Sequence, residues 1–447
     1  MGWENNIFGL VPQTDWLDVG FEVRRQNDPI DGIFDDERTE NIAAYWQSIA
    51  AEYQVPMMAQ FHGFDTESMQ TFRVPVDTHN IEKGLIKVKI NQSERMRELL
   101  KTGVRQDAMY NYVVNDGIRL AEQVFTRSKV AKNELMATGK VTIVENNLNL
   151  TVDYGVPSSQ TGFELDLSED ADIPGQLQEI FDAATAKGVT LTHMLTSKRN
   201  LTKMRRNTSM QKVIASREMV GATLSNAQLN TYLGDEFGIS TIITNDLTYG
   251  SDFSMGDNMR PIVTMKRYYP EDKVSFFAPN QQGRMGVGAW GDPPELEAAR
   301  YNGIVTGSEF PYVYVNQWME NDPAVLWTKA SGLFMPILYM PSSLWIATVV
   351  NPELGELKVQ STASSSVVGN TKLTVSPSKE STSNVYKVKA AADAPTVKYG
   401  QDLRRWSSWD GTSELTMSTG NKVTVAECNS DYRAIKAGNT TVTAKDS

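Results

Sequence analysis

Three histidines, one cysteine and a few carboxylate and glycine clusters are the residues of this 447-residue chain whose chemistry could serve a reaction or a ligand. Nucleophilic catalysis needs a nucleophile beside a base. His62 and His79 fall in a polar stretch, and His193 sits in an apolar strand near no obvious nucleophile, so each reads as structural. Cys428 is alone and forms no internal disulfide, and no Cys/His cluster has the spacing of metal ligands. The acidic run Glu164, Asp166, Glu169, Asp170, Asp172 lacks the alternating ligands and tight glycine turn of an EF-hand loop. It suits a solvated loop before a helix, whose N-terminal end favours negative charge. Gly283, Gly286 and Gly288 invert the dinucleotide fingerprint and read as turns, and Gly139 with Lys140 lacks the upstream glycine of a phosphate loop. The basic cluster Lys198, Arg199, Lys203, Arg205, Arg206 reads as a solvated helix face or a salt-bridging subunit surface. The residues nominate no catalytic, cofactor-binding or metal position, and the expectation is a protein that is not an enzyme.

Charge points the same way. The chain carries 43 Lys and Arg against 54 Asp and Glu, a net charge of −11. From Asn351 onward there are 12 basic and 10 acidic residues, so the first 350 residues carry a net −13. A surface of that sign repels phosphate and makes tight nucleic-acid binding a poor hypothesis. Forty per cent hydrophobic and 22 per cent charged residues exclude wholesale disorder, and the length fits two or three domains. The opening WENNIFGLVPQTD has neither a basic n-region nor an apolar h-region, so cytoplasmic synthesis is expected. The apolar run Gly332 to Val350 is long enough to cross a membrane. Pro336 and Pro341 remove amide donors that a lipid-exposed helix needs, and Leu344 to Val350 is expected as a strand covered on both faces.

Several elements can position these residues. The first 35 residues show no sustained period and suit an extended arm. A short amphipathic helix is expected with Ile42, Trp46, Ile49, Ala50 and Tyr53 on one stripe. A hairpin is expected next, Phe72, Val74, Val76 alternating with polar residues before Ile86, Val88 and Ile90. Neither arm is apolar enough for a core, so the hairpin must lie across another element or subunit. From Val104 to Ala137 one stripe carries Met109, Val113, Gly117, Leu120, Val124, Ala131 and Leu135, a strut of roughly 50 Å closed by Gly139. Lys140 to Val144 and Leu148 to Tyr154 make a second hairpin. An α/β region follows: a helix from Pro174 to Ala186, a strand in Val189 to Leu195, helices near Lys198 to Arg206 and Ala227 to Gly234, and strands Ser240 to Thr244, Ile262 to Met265 and Val274 to Phe277.

Beyond Pro352 the chain turns to short Thr/Val/Lys strands: Leu357 to Gln360, Lys372 to Ser376, Tyr386 to Lys389, Thr396 to Tyr399, Glu414 to Met417, Val423 to Glu427, Arg433 to Lys436 and Thr440 to Ala444. Turns are expected at Gly369, Gly400, Gly411, Gly420 and Gly438, the punctuation of a β-sandwich with the texture of an immunoglobulin-like domain. An acidic chain with an arm, a hairpin that cannot stand alone and a long strut has the character of an assembling subunit.

Three stretches carry a resemblance: ELMATGKVTI followed by LTVDYG, VSFFAPNQQGRMGVGAWG, and WMENDPAVLWTKASGLFMPILYMPSSLWIATVV. Over roughly Met1 to Val350 the chain resembles the lambda-like major capsid protein E family of tailed bacteriophages. That resemblance implies an α+β, HK97-type fold: residues 1–56 an N-terminal arm, 57–90 an extended loop (E-loop), 91–171 with 306–350 a peripheral (P) domain with spine helix 93–137, and 172–305 an axial (A) domain. Residues 351–447 would be an added all-β, Ig-like module. It implies hexamers and pentamers closing an icosahedral shell around double-stranded DNA without gripping it, assembled in the bacterial cytoplasm and located in the virion. Further expected partners are a separate scaffolding protein, a portal and a decoration protein, with no cofactor and no membrane. A secreted or surface adhesin is the competing reading, motivated by the β-module and opposed by the missing signal peptide and the long strut.

Overall fold

The computed structural model describes residues 27–39, 43–48, 77–92, 106–145, 148–169, 171–214, 223–255, 261–301, 307–309, 312–322, 324–350, 353–430 and 432–445. The chain divides into two compact units. One comprises Met1–Phe163, Ile180–Lys198 and Leu233–Thr348; the other comprises Glu164–Glu179, Arg199–Tyr232 and Val349–Ser447.

Up to Val350 the elements run β1 (Phe34–Arg38), β2 (Ala43–Ser48), β3 (Asp77–Glu82), β4 (Gly84–Gln92), α1 (Gln106–Thr138), β5 (Lys140–Glu145), β6 (Leu148–Asp153), β7 (Phe163–Asp166), α2 (Ile173–Ala186), β8 (His193–Thr196), α3 (Lys198–Arg206), α4 (Thr208–Ile214), α5 (Asn226–Phe237), β9 (Thr241–Thr244), β10 (Thr248–Met255), β11 (Pro261–Arg267), β12 (Lys273–Phe277), β13 (Gly286–Gly291), α6 (Pro294–Tyr301), β14 (Gly307–Glu309), β15 (Tyr314–Asn321), β16 (Ala324–Leu338) and β17 (Leu344–Val350).

The first unit is organised on β16. Its first half pairs antiparallel with β15 and β4, and from Leu333 to Leu338 it pairs with β13, to which β1 adds in parallel. Across this sheet lies α1, its 33 residues spanning roughly 50 Å at 1.5 Å each. Leu120, Val124, Phe125, Leu135 and Met136 bury against Trp290, Val315, Leu326 and Phe334 in one core. Helix and sheet approach closely at Gly332, where a Cβ would press on Trp290 and Val124. The helix ends as its sequence demands: Gly139 takes the left-handed conformation, φ +72°, and donates its amide to Leu135 O at 2.8 Å. A second sheet has β12 antiparallel to both β17 and β8, with β9 parallel to β8.

The two prolines of the long apolar run fit this geometry. Pro336 lies in β16 beyond the reach of β4, so its missing amide breaks no ladder there, and its carbonyl accepts the Tyr154 hydroxyl at 2.6 Å. Pro341 opens a single 3-10 turn before β17, which is nearly wholly buried. Among the described residues no helix is long and apolar enough to cross a membrane.

Several expectations are corrected. Ala43–Ser48, expected in a helix, is strand β2 paired with β3: the aromatic pair Tyr45 and Trp46 favours a strand, and pairing overrides a weak helical period. The first arm of the expected hairpin, Phe72 to Val76, lies outside the described residues, and its second arm lies across another element as expected. Strand β3 pairs with β2, and β4 pairs with β16, where Ile86, Val88 and Ile90 pack on the core under α1. Gly286 and Gly288 are strand rather than turn, because a Cβ at Gly286 would overlap the Ile337 carbonyl and one at Gly288 would overlap the Asp36 carboxylate. Gly283, at φ +80°, is the turn.

In the second unit, Asn207 ties the start of α4 to the 168–171 turn, its amide donating to Ser168 O at 2.8 Å and Ala171 O at 2.9 Å. The C-terminal strands are β18 (Gly355–Glu356), β19 (Lys358–Ala363), β20 (Asn370–Ser376), β21 (Val385–Ala391), β22 (Ser407–Trp409), β23 (Leu415–Thr416), β24 (Lys422–Cys428) and β25 (Ala434–Thr441). They form sheets β18-β25-β24-β21-β22 and β19-β20-β23, whose facing side chains Val359, Leu373, Val388, Val423 and Val425 share a core. Gly369, Gly400, Gly411 and Gly420 have positive φ, as turns require. Gly438 is not a turn: it sits within β25, where a Cβ would strike the Leu357 carbonyl, and the two expected strands around it are one. Thr396–Tyr399, expected as a strand, is irregular.

Candidate assembly surface

Three two-stranded ribbons, β2–β3, β5–β6 and β10–β11, each form a sheet of their own in the first unit. Such a ribbon is marginal in water unless a face is covered. In β5–β6 the register places Val141 opposite Val152, Ile143 opposite Leu150 and Glu145 opposite Leu148, so these six share one face. At the root Val141 and Val152 are buried in the core; midway Ile143 is half-buried; towards the tip Leu150 is 48 % and Leu148 61 % exposed. On the reverse face Val144 is 66 % exposed. In β10–β11, Val263 and Met265 share a face and are likewise exposed. Ten large apolar side chains are exposed among the described residues, and five of them lie on these two ribbons. Fully burying each would contribute about 1.5–3 kcal/mol.

The β5–β6 ribbon is held along its length by α1 and by its own strands. Lys140 pairs with Asp153 at 2.8 Å and Arg127 with Glu145 at 3.0 Å, and Glu134 of α1 accepts the Thr142 amide at 2.8 Å. Burial raises the Glu134 carboxyl above its ordinary pKa.

A second polar assembly fixes the strand β1 and the turn before it. The buried Asp28 carboxylate accepts from the Ile30 amide (3.0 Å), Asn133 of α1 (3.2 Å) and Asn245 after β9 (2.8 Å), and Asn245 also donates to Asn133 (2.9 Å). Lys132, fully buried, reaches Asp36 at 2.8 Å, the Phe34 carbonyl at 3.1 Å and Asp31 at 3.3 Å, and Lys129 meets Asp31 at 3.0 Å. Desolvation raises the pKa of Asp28. Three segments distant in sequence are thereby pinned at one point.

Residues 54–349 match the family described as phage major capsid protein E. The chain belongs to that family. The capsid protein therefore builds a phage virion shell from many copies of itself. The match ends at Val349. No curated protein matches the chain. Solved structures with looser likeness include a prophage protein of E. coli CFT073 described as a capsid protein (13 % identity, 77 % of this chain and 98 % of that one, TM-score 0.43). Others are a phage-related protein of Bordetella bronchiseptica RB50 (8 %, 74 % and 96 %, 0.43) and the mature capsid of bacteriophage PhiM1 (8 %, 73 % and 89 %, 0.39). At these scores the identification stands on the family match alone.

The residues first considered for chemistry are dispersed through this capsid protein. His62 and Asp170 lie outside the described residues, and His79 is in β3. His193, in β8, is half-buried against Phe277, its Nδ1 within 2.9 Å of the Thr192 hydroxyl, and burial lowers its pKa. Cys428 is buried in the C-terminal sandwich, which pushes its thiol up to about 12. Lys198 to Arg206 do form a helix, α3, with Lys198, Arg199 and Arg206 exposed. Among the described residues no group of three His, Cys, Asp or Glu could hold a metal. Sequence reasoning missed the Asp28–Asn133–Asn245 junction, which no spacing announces. It also missed the β10–β11 pairing, for which Gly256, Asp257 and Asn258 between two alternating stretches were the available signal.

Proposed function

We propose that the capsid protein assembles as hexamers and pentamers that close an icosahedral head around the double-stranded DNA of a tailed phage, with an HK97-type division of labour. The carrying observation is that the chain leaves apolar side chains uncovered on two ribbons, a cost that a neighbouring copy removes. In this reading residues 1–56 are the arm, 57–90 the loop reaching a neighbour, 91–171 with 306–350 the peripheral domain around α1, 172–305 the axial domain, and 351–447 an Ig-like module that projects as built-in decoration or braces adjacent subunits. A separate scaffolding protein and a portal complete the assembly in the host cytoplasm, with room for a decoration protein. The net −13 of the first 350 residues gives an inner wall that does not grip the genome.

Negative-stain microscopy and size-exclusion chromatography of the expressed chain test the proposal. Closed shells with five- and six-fold capsomers are expected; a stable monomer at high concentration would sink it.

A further inference from the structure

We infer that the β5–β6 ribbon is a contact between copies of this chain, its Ile143, Leu148 and Leu150 face docking on a second copy. The inference rests on the shell-forming reading and specifies one of its surfaces. The face leaves the core continuously: Val141 and Val152 are buried, Ile143 is half covered, and Leu150 and Leu148 are exposed, so the apolar stripe runs on beyond the part that the core covers. Intramolecular stability does not account for the outer two leucines, because the described chain leaves 48 % of Leu150 and 61 % of Leu148 exposed.

Charge selects a second copy as the occupant. Copies with a net charge of −11 repel one another, so a mutual contact must be locally neutral. The ribbon meets this condition: its three charged residues in the described strands, Lys140, Glu145 and Asp153, are matched by the Lys140–Asp153 pair and by Arg127 reaching Glu145 from α1, and the Glu134 carboxyl at its Thr142 amide is shifted by burial towards its neutral form. A cationic partner would find no net charge to hold it, and an anionic copy meets none to repel it. The stripe is also too small to hold a dimer, since stable interfaces bury about 1,200 Å² or more in total. It is suited to one of several contacts repeated head-to-tail around a closed ring, where each is weak and closure makes them cooperative.

The test compares wild type with the Leu148→Asp/Leu150→Asp variant, both substitutions lying at exposed positions. The expected result is a subunit with wild-type circular dichroism and melting temperature whose concentration threshold for shell formation rises tenfold or more. Hydrogen exchange on wild-type protein supplies a reading independent of the variant's folding: amides of 148–153 should be slowed at least tenfold in shells relative to free subunits. Assembly of the variant at the wild-type threshold, or equal exchange of those amides in both states, overturns the inference and leaves the shell-forming reading standing. Failure of wild type itself to form shells overturns that reading, and the inference with it.

Discussion

Gly286 shows how little freedom a single position has where three strands pair closely. It faces the Ile337 carbonyl across β13–β16 with the Phe34 ring alongside, so Gly286→Ala forces the strands apart. Overpacking of this kind costs about 1–3 kcal/mol, and a lower denaturant midpoint is expected. Asp28 makes a different residue-scale prediction. Desolvation is the largest influence on it and raises its pKa, with Asp31 adding to the rise and Lys129 and the Ile30 and Asn133 hydrogen bonds opposing it. A carboxyl whose folded pKa exceeds its unfolded value of about 3.9 contributes stability that is fully present below that value and lost as pH rises through the folded pKa. Measured against Asp28→Asn, which cannot titrate, the wild-type melting temperature should therefore fall as pH rises above about 4 and level off once the folded carboxyl has ionised. A difference that does not change as pH rises above about 4 would refute the assignment.

At the scale of elements, β4 and α6 are joined through one carboxylate. Glu295 of α6 pairs with Lys87 of β4 at 2.7 Å and Lys329 of β16 at 2.5 Å. Desolvation alone would raise its pKa, but the hydrogen bonds from Lys329 and Lys87 together outweigh it and hold the carboxyl at about 2. The sign is opposite to that of Asp28. The clamp's contribution is present above the unfolded value of about 4.3 and lost as pH falls towards 2, so the advantage of wild type over Glu295→Gln should vanish in acid unfolding across that window. Trp290 serves the same sheet by packing. It contacts Phe125 of α1, Phe334 of β16 and Tyr312 at centroid distances of 5.4, 4.7 and 5.5 Å, and its Nε1 donates to Asp36 of β1 at 2.9 Å. Trp290→Ala should cost about 3–5 kcal/mol in equilibrium denaturation, and loosen β1 along with the core.

For the whole molecule, the C-terminal sandwich draws both of its apolar clusters from residues 354–444 alone, and the family match ends before it begins. A chain ending at Val350 should still form shells visible by electron microscopy; soluble monomers or aggregates in their place would show that the sandwich is part of the coat. The acidic balance makes the remaining prediction. Empty shells should bind double-stranded DNA weakly in a filter or gel assay, with little change between low and moderate salt, because few phosphate counterions are released. Tight binding that collapses with salt would contradict an inner wall without grip.

Local physics wrote several features directly into the sequence. The length and end of α1 follow from its apolar stripe and Gly139, the β5–β6 hairpin from alternation, and the strand at Leu344 to Val350 from its β-branched and aromatic run after the prolines. These depend on neighbours within a few residues. Tertiary structure decided the rest. Ala43–Ser48 became a strand because β3 offered it a ladder, and β4 found its place on β16, where its alternate face packs against a core. The Asp28, Asn133 and Asn245 junction joins residues up to 217 positions apart, and Gly286 and Gly438 are glycine because another strand's carbonyl stands where a Cβ would be. Which apolar side chains remain in water is also a property of the packed chain, since exposure is what remains after every other residue has taken its place.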